Sequence, residues 1–276
     1  MNTIQLMING LPGKVAETIY RHAAHDGRFR LIQSSLTGPD VTAATHRVEN
    51  TEVELIRPEN RSGRIKDLLL KHGPFITVDY THPSAVNSNV DFYCSHQLPF
   101  VMGTTGGDRD GIRKRVLDSD IPAVIAPNMN KQIVGIMAMM EYAAKTFPGL
   151  FSGYTMEVKE SHQSWKADTS GTAKAMVRYF NHLGVPFTED EIYKERDPIA
   201  QKNVWNIPEK YLDGHGWHTY TLTDKNATST FGITHNISGR DIYAEGTLDA
   251  VLYLHEKIGQ NITGHVYSMI DVLKKT

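Results

Sequence analysis

Cysteine and long apolar runs are what this sequence has least of. Cys94 is the single cysteine in 276 residues, so no internal disulfide can form, which is typical of a reducing compartment. Because Cys94 lies in the hydrophobic run VDFYC, we expect it to be buried packing rather than a nucleophile. No run reaches the roughly 18 apolar residues that a membrane-spanning helix needs, so we expect no such helix.

An excess of charge of either sign is also missing. The 29 basic and 31 acidic residues leave a net charge of -2, which gives no general attraction to nucleic acid or to membranes, and we expect neither as a partner. A strand pattern begins at about Ile4, which leaves no room for a signal or transit peptide. We therefore expect a cytoplasmic protein, or one of the plastid stroma if a transit peptide has been removed.

Short apolar runs alternate with helical patterns in the first half of the chain. The runs are 4–9, 29–35, 76–80, 100–104 and 123–127, and helical patterns cover 14–26 and 108–119. Strands that alternate with helices predict a parallel sheet, so the fold class is α/β with a Rossmann-like, doubly wound sheet. Segment 37–75 is irregular and polar, and its elements are not predicted.

The pattern changes after Asn130. Residues 131–147 are apolar on most faces, which predicts a buried helix joining two lobes, with Met129, Met137, Met139 and Met140 as core packing. Strand-like runs at 153–162, 218–223 and 228–237 and a helix at 172–183 indicate an α+β, mixed-sheet lobe, and helical patterns at 241–258 and 266–275 close the chain. We predict a dinucleotide-binding domain of residues 1–129 and 241–276, and a substrate-binding and oligomerisation domain of residues 130–240.

A glycine turn follows the first predicted strand. Gly10 and Gly13 form the pattern GxxGxxA with Ala16, where a pyrophosphate could approach backbone N–H groups at a helix start. A simple strand-to-helix turn explains this pattern equally well. A nucleoside-triphosphate loop is excluded, since Ile8 stands where that loop needs Gly, and Val15 where it needs Ser or Thr.

The end of the second predicted strand has hydroxyls and no carboxylate. An NAD-specific site needs Asp or Glu there, whereas Ser34, Ser35, Thr37 and Lys14 could accept a 2′-phosphate. These residues favour NADPH as the cofactor, with NADH possible; Lys14 could equally be a solvated helix charge. Two more polar loops, MGTTGG (102–107) and APNMN (126–130), follow strands of the predicted sheet, at the edge where such sheets bind ligands.

The stretch ESHQSWKADTSGTA (160–173) carries the most specific signal. It resembles the signature of dihydrodipicolinate reductases, usually Glu-x-His-His-x-x-Lys-x-Asp-x-Pro-Ser-Gly-Thr-Ala. The glycine turn, DYTHP (79–83), GTTG (103–106), APNMN and 235–254 match that family in the same order. Gln163 replaces the second histidine, the proline is missing, and Met129 stands where bacterial enzymes often have Phe, so the sequence is similar to the plant-type branch.

The resemblance implies a reaction and a set of site residues. The substrate would be 4-hydroxy-tetrahydrodipicolinate, a cyclic dicarboxylate imine that loses water and takes a hydride on the route to diaminopimelate and lysine, in a homotetramer. His162 would supply or orient the proton and Lys166 a fixed positive charge, and a substrate carboxylate would sit on N–H groups of Ser170, Gly171 and Thr172. Gln163 and Thr105 would also contact substrate. The predicted cofactor contacts are Gly10, Leu11, Pro12, Gly13, Lys14, Val15, Ser34, Ser35, Thr81, Gly103, Thr104, Thr105, Pro127, Asn128, Met129, Arg240 and Tyr243.

Each of these assignments has an ordinary structural alternative. His162 could have only a structural partner, Lys166 and Arg240 could be solvated charges, Asp168 is expected to cap the turn, and Glu160 could orient His162. His215 and His218 have the spacing of a metal pair, but no cluster of carboxylates or thiolates accompanies them, so we expect structural roles and no metal. Two other functions stay open: another two-lobe NAD(P) enzyme, such as an amino-acid dehydrogenase acting on an imine, and a non-catalytic nucleotide sensor.

Overall fold

Strands and helices alternate through most of the first 130 residues, except that four strands follow one another between the first two α-helices, and they alternate again towards the C-terminal end. The structure is a computed structural model that describes residues 3–275. Its strands are β1 (Ile4–Asn9), β2 (Phe29–Leu31), β3 (Ser34–Leu36), β4 (Thr45–Val48), β5 (Thr51–Ile56), β6 (Ile76–Asp79), β7 (Phe100–Met102), β8 (Pro122–Ile125), β9 (Tyr154–His162), β10 (Tyr193–Glu195), β11 (His215–Asp224), β12 (Thr230–Ser238) and β13 (His265–Tyr267). Its α-helices are α1 (Lys14–Ala24), α2 (Arg61–His72), α3 (Val86–Ser95), α4 (Arg109–Leu117), α5 (Lys131–Thr146), α6 (Gly171–His182), α7 (Pro198–Asn203), α8 (Asp241–Gly259) and α9 (Met269–Leu273).

A parallel sheet in the order β13-β8-β7-β6-β1-β2 forms the larger part of the molecule. Strand β1 lies inside the sheet, with β2 on one side and β6 on the other, which is the doubly wound arrangement. Leu6 and Ile8 pack into the core on one face, and Met7 and Phe100 into the core on the other. Because both faces are covered, β1 is an almost unbroken apolar run. The predicted Rossmann-like fold class is confirmed.

One predicted strand of this half is wrong. The run 29–35 forms two short strands in different sheets, because Gln33 turns outward and the chain leaves the parallel sheet after Ile32. Strand β3 then pairs with β5, and β5 with β4, in a three-stranded sheet. Segment 37–75, for which no element was predicted, supplies β4, β5 and α2.

The helix predicted over 266–275 is also largely wrong. Residues His265–Tyr267 form β13, which extends the parallel sheet beside β8, and only Met269–Leu273 are helical. The change occurs at Ser268, whose hydroxyl accepts from the Asp271 N–H while the Asp271 carboxylate accepts from the Ser268 N–H at 2.8 Å. This reciprocal capping starts a helix at Met269 and therefore excludes one that begins earlier.

A mixed sheet in the order β10-β9-β11-β12 forms the second unit. Strand β11 is antiparallel to both neighbours, and β10 is parallel to β9. Helix α6 buries Met176, Val177 and Phe180 in the same core as Val158 and Tyr220 of the sheet. The predicted α+β mixed-sheet character is confirmed, although β10 was not predicted.

The chain divides into two units by its internal contacts. One unit runs up to Val134 and resumes at Asp241, and the other is Gly135–Arg240. The first division falls inside α5, a few residues after the predicted boundary; the roles of the two units stay predictions. The prediction that α5 is buried is wrong in part, since Met139 is 64% and Tyr142 66% exposed. Among residues 3–275, no helix has the length and apolar character needed to cross a membrane.

Candidate active site

A buried carboxylate lies at the centre of the ESHQSWKADTSGTA stretch. Glu160, near the end of β9, is fully buried, and the antiparallel register places His218 of β11 directly opposite it. Its Oε2 atom is 3.6 Å from Nε2 of His218 and 3.9 Å from Nε2 of His162. The two ring nitrogens are themselves 3.2 Å apart. The end of β9 therefore brings together an acid and two imidazoles.

Arg196 holds this carboxylate from the other side. Its Nη2 donates to Oε1 of Glu160, and its Nε donates to the Lys166 carbonyl at 2.7 Å. The Ser170 N–H donates to Oε2 of Glu160 at 3.1 Å. Burial alone would raise the pKa of Glu160, but the hydrogen bonds from His218 and Arg196 outweigh it and lower the pKa to about 2. Glu160 is therefore an anion, and it fixes both ends of the loop between β9 and α6.

His162 is neutral in this environment. Burial and, to a smaller extent, the neighbouring His218 lower the pKa of His162 to about 3, because Glu160 raises it by less than they lower it. The ring lies against Gly216, where a Cβ atom would come within 3.0 Å of Cε1 of His162. Glycine at 216 thus leaves room for the ring.

Lys166 pairs with an exposed carboxylate in the loop before α6. Its Nζ donates to Oδ1 of Asp168 at 2.7 Å, and the Asp168 side chain is 77% exposed. The expectation that Asp168 caps the turn is wrong, because Ser170 occupies the N-cap position. Asp168 instead offers a solvent-facing carboxylate to a cation, and a carboxylate of a ligand could take the same place.

The start of α6 retains two of the three N–H groups that we expected to hold a carboxylate. The Ser170 N–H is already donated to Glu160, which leaves those of Gly171 and Thr172 in the first turn. A Cβ atom added to Gly171 would meet no protein atom within 4 Å, so there is open space beside the helix start. An anion fits this position better than at any capped helix end.

Three further predicted residues have partners within the second unit. Gln163 donates from Nε2 to the His215 carbonyl at 3.1 Å, and Nε2 of His215 lies 2.9 Å from the Ser161 hydroxyl. His215 is thus held by protein partners, whereas His218 lies beside Glu160 and His162; the structural roles expected for both histidines stay predictions. Arg240 donates to the Asp213 carbonyl at 2.8 Å, so its cofactor role stays a prediction.

The spacing of the buried cluster is compatible with a cation. One ligand atom each from Glu160, His162 and His218 lies within 4.8 Å of the others, a group found within the described range 3–275. Arg196 already supplies a positive charge to this carboxylate. The expectation that no metal binds here stays a prediction, and the arginine's charge favours it.

The glycine turn of the first unit fits a dinucleotide phosphate. Gly10 has φ +109°, and a Cβ atom there would lie 2.2 Å from the Tyr80 carbonyl oxygen. Gly13 is the N-cap of α1 without a side-chain hydrogen bond, so no side chain covers the first-turn N–H groups. Pro12, Gly13 and Lys14 are exposed beside them, whereas Leu11 is buried in the core. Backbone donors and a cation are thus available to an anion.

Replacing Gly10 with alanine should destabilise the first unit. The overlap with the Tyr80 carbonyl and the positive φ together predict a loss of about 2–4 kcal/mol in the free energy of unfolding. Urea denaturation followed by circular dichroism measures this loss. Gly27→Ala is the matched control, because a Cβ atom at Gly27 meets nothing within 4 Å. Equal stability of the two variants would contradict the steric argument.

The hydroxyls predicted to accept a 2′-phosphate are buried and have protein partners. Ser34 donates to Oε2 of Glu54 at 2.9 Å, and Thr37 donates to the Leu11 carbonyl at 2.8 Å. The Ser35 hydroxyl accepts from the Leu11 N–H at 3.2 Å. Ser35 and Thr37 hold the glycine turn in place through Leu11, and direct contact of all three hydroxyls with a cofactor stays a prediction. Lys14 is the exposed cation of the predicted set.

Asp79 organises the two loops that follow β6 and β7. Its carboxylate is fully buried and accepts from the hydroxyls of Thr81 at 2.8 Å, Thr104 at 2.6 Å and Tyr93 at 2.6 Å. Thr104 therefore points inward, whereas Thr105 is exposed. Because Asp79 joins both loops, it fixes the positions of the residues predicted to contact the cofactor.

The remaining predicted cofactor contacts lie after β8 and at the start of α8. Asn128 accepts the Asn130 N–H at 2.9 Å, Pro127 is exposed and Met129 is buried. A Cβ atom at Gly246 of α8 would overlap the Met129 carbonyl oxygen, at 1.8 Å. Tyr243 lies in the first turn of α8. Contact of these residues with a cofactor stays a prediction.

Sequence reasoning missed three residues of these sites: Arg196, His218 and Asp79. Arg196 lies in a charged, proline-punctuated segment that shows no periodicity. His218 carried a usable signal, because it alternates with Tyr220 and Leu222, both buried, on a strand. A polar residue on the buried face of a strand needs a hydrogen-bonding partner. The structure places that partner near the end of β9, where Glu160 lies opposite His218.

Fold and site together define a class of protein: an NAD(P)-dependent oxidoreductase with a Rossmann-like unit and a separate mixed-sheet unit that carries a buried acid–imidazole cluster. Residues 4–129 match the N-terminus of dihydrodipicolinate reductase, and residues 133–273 match its C-terminus. The chain belongs to the dihydrodipicolinate reductase family. The N-terminal domain of this family binds NAD(P), which supports a nicotinamide cofactor.

Curated relatives from plants are similar over nearly the whole chain. The chloroplastic 4-hydroxy-tetrahydrodipicolinate reductase 2 of Arabidopsis thaliana is 43% identical over 99% of this chain and 78% of its own length. The probable chloroplastic reductase 2 of Oryza sativa subsp. japonica is 42% identical over 98% of this chain and 83% of its own. The predicted family, its plant-type branch and the reductase activity are confirmed.

A solved structure supports the fold. The dipicolinate-bound dihydrodipicolinate reductase from Paenisporosarcina sp. TG-14 aligns with a TM-score of 0.66 over 97% of this chain and 98% of that one. At 18% sequence identity, this likeness shows the shared fold alone.

Proposed function

We propose that the protein uses NADPH to reduce 4-hydroxy-tetrahydrodipicolinate to tetrahydrodipicolinate, with loss of water, on the diaminopimelate route to lysine. The reductase activity follows from family membership and agrees with the names of the curated relatives. The observation that carries the residue assignment is the cluster of Glu160, His162 and His218 next to Lys166 and the start of α6. The reduced nicotinamide, when bound, supplies the hydride.

The positive groups around the cluster bind the dicarboxylate. Lys166 exchanges its exposed partner Asp168 for one carboxylate of the substrate, because both are carboxylates and Asp168 faces solvent. The N–H groups of Gly171 and Thr172 receive the same end of the molecule at the positive end of α6. These contacts place the substrate ring beside His162 without any movement of Glu160.

The substrate itself brings His162 into its protonated form. Burial, His218 and the nearby cations Arg196 and Lys166 lower the pKa of His162. A dianionic ring that neutralises Lys166 opposes the last of these effects, and therefore raises the pKa while the substrate is bound. His162 then donates a proton as negative charge builds up on the ring.

NADPH preference should depend on Lys14. We expect Lys14→Ala to raise KM for NADPH about tenfold, with a smaller rise for NADH, because Lys14 is the exposed cation beside the glycine turn and NADPH carries an additional phosphate. Initial rates with each cofactor measure the ratio. Lys14→Arg keeps the charge and is the control. A change of equal size for both cofactors would assign Lys14 to the pyrophosphate and contradict the preference.

A single assay separates this function from the two alternatives. The protein is mixed with NADPH and freshly made substrate, and the absorbance of the reduced cofactor is followed. We expect a fall that needs both the protein and the cyclic substrate. An amino-acid dehydrogenase would oxidise NADPH only with a different imine, and a nucleotide sensor would bind NADPH without turnover.

Assembly and location are part of the same proposal. We propose a homotetramer formed through the second unit, on the basis of the family resemblance, and light scattering coupled to gel filtration measures its mass. The plant relatives are named chloroplastic, so we propose the plastid stroma or the cytoplasm as the compartment.

A further inference from the structure

His218 touches His162 without having been assigned any part in the reaction. The two Nε2 atoms are 3.2 Å apart, and the ring centroids are separated by 4.9 Å at an angle of 69°. Two nitrogen lone pairs at this distance would repel, so one of the two rings carries a hydrogen between them. Which ring carries it decides the tautomer of His162.

The groups around the pair come from each neighbouring element. Strand β9 contributes the Glu160 carboxylate, β11 contributes Tyr220, and β12 contributes His235, whose ring centroid is 4.6 Å from that of His218. The segment after β10 contributes the Arg196 guanidinium, which is bound to Glu160. The anion nearest to the two facing Nε2 atoms is therefore Glu160, and it favours a hydrogen on the nitrogen that faces it.

The other nitrogen of His218 settles where the hydrogen lies. Nδ1 of His218 is buried and has no hydrogen-bond partner among residues 3–275. A hydrogen on that atom would be a buried donor without an acceptor, and it would leave a bare Nε2 facing the Glu160 carboxylate. A hydrogen on Nε2 instead faces both Nε2 of His162 at 3.2 Å and the Glu160 carboxylate at 3.6 Å. His218 therefore carries a hydrogen on Nε2.

We propose that His218 is a positioning residue that holds His162 in the tautomer with hydrogen on Nδ1. In the substrate-free protein His162 is neutral and its Nε2 accepts from His218, so the single hydrogen of the His162 ring lies on Nδ1. A Cβ atom at residue 216 would lie 3.4 Å from Nδ1, so glycine at this position keeps side-chain atoms away from that edge of the ring. Nδ1 is thus the atom through which His162 acts on the substrate. This inference deepens the function proposed above for His162 and rests on it.

The tautomers are measured by nitrogen-15 solid-state NMR, a method that does not depend on the size of the assembly. The full chain is labelled at its 13 histidines, and His162 is identified by the signals that disappear in His162→Gln. We expect His162 to show a protonated Nδ1 and a bare Nε2, and His218 to show the reverse. A protonated Nε2 on His162 at neutral pH would overturn the proposal.

Two substitutions at 218 separate positioning from packing. His218→Leu fills the space without a donor, so His162 should lose its single tautomer and kcat should fall about tenfold or more, with KM changed less than twofold. His218→Gln can donate again from its amide, and should restore the tautomer and part of kcat. Tyr220→Phe is the control, because its buried hydroxyl has no partner among the described residues and it lies next to His218 on the same face.

The results distinguish a positioning role of His218 from a purely structural one. A fall in kcat in His218→Leu with the His162 tautomer unchanged would make His218 merely structural and overturn the proposal, as would a glutamine variant no better than leucine. The NMR signals do not depend on turnover. If His162→Ala remained active while the tautomers were as expected, the proposed function of His162 would fail and the positioning by His218 would stand.

Discussion

His162→Ala is expected to lower kcat by about two orders of magnitude or more, with little change in KM for NADPH. The imidazole is the group beside the start of α6 that can give a proton to the reduced ring, and loss of such a group costs roughly this factor. We predict that the cofactor is bound by the first unit, so its affinity has no reason to change. Steady-state rates with NADPH and freshly made substrate measure both constants.

His182→Ala is the matched control for this variant. His182 is an exposed histidine in the last turn of α6, where its Nδ1 lies 2.8 Å from the Arg178 carbonyl. The His182→Ala substitution removes an imidazole from the same unit without altering the cluster of Glu160, His162 and His218, so full activity is expected. Near-normal kcat in His162→Ala, measured beside this control, would refute the role of His162 as proton donor.

Arg196→Met is expected to destabilise the protein by about 3–5 kcal/mol. Glu160 is fully buried, and its guanidinium partner is 17% exposed, so removing the arginine leaves an uncompensated charge inside the second unit. The loop between β9 and α6 also loses the bond from Arg196 to the Lys166 carbonyl, and kcat should fall with stability. Chemical denaturation of the purified variant gives the free energy of unfolding.

The double variant with Glu160→Gln tests whether the charge is the cause. With both charges removed, the double variant should be more stable than Arg196→Met alone, because no unpaired carboxylate remains. If the double variant were the less stable of the two, the loss would come from packing around the arginine rather than from the buried charge.

The acid stability of the protein should depend on the same ion pair. The pKa of Glu160 is lowered to about 2 from an ordinary value of 4.5, so the unfolded chain binds its proton first as the pH falls. The contribution of Glu160 is therefore complete above about pH 4.5 and is lost as the pH falls towards 2. In Arg196→Met the pKa of Glu160 rises, and acid unfolding should begin at a higher pH than in the unmodified protein.

The elements predicted most accurately are those with an unbroken local pattern. Strand β1 was predicted residue for residue, because both of its faces are buried and its apolar run is continuous. The run 29–35 has similar local character, but β2 and β3 pair with different partners. Strand pairing is a contact between distant segments, and the apolar pattern of one segment does not contain it.

The candidate site was predicted to a similar extent. His162, Lys166 and the start of α6 follow one another in a specific motif, so the sequence located them together. Arg196 and His218 lie 34 and 56 residues after His162 and carry no motif of their own. Ser34 and Ser35 differ from expectation for the same reason. Their hydroxyl groups predicted a site for the 2′-phosphate of NADPH, but in the fold these hydroxyls are hydrogen-bonded to Glu54 and Leu11.

The sequence by itself determined the class of fold, the family and the stretch predicted to carry the chemistry, because alternation of strands and helices and a contiguous motif are local properties. The tertiary structure decided the charge and the hydrogen bonds of that stretch. Burial of Glu160 and the approach of Arg196 and His218 from distant segments set which atoms carry protons. Desolvation and hydrogen bonding arise only when distant segments meet, and no local pattern records them.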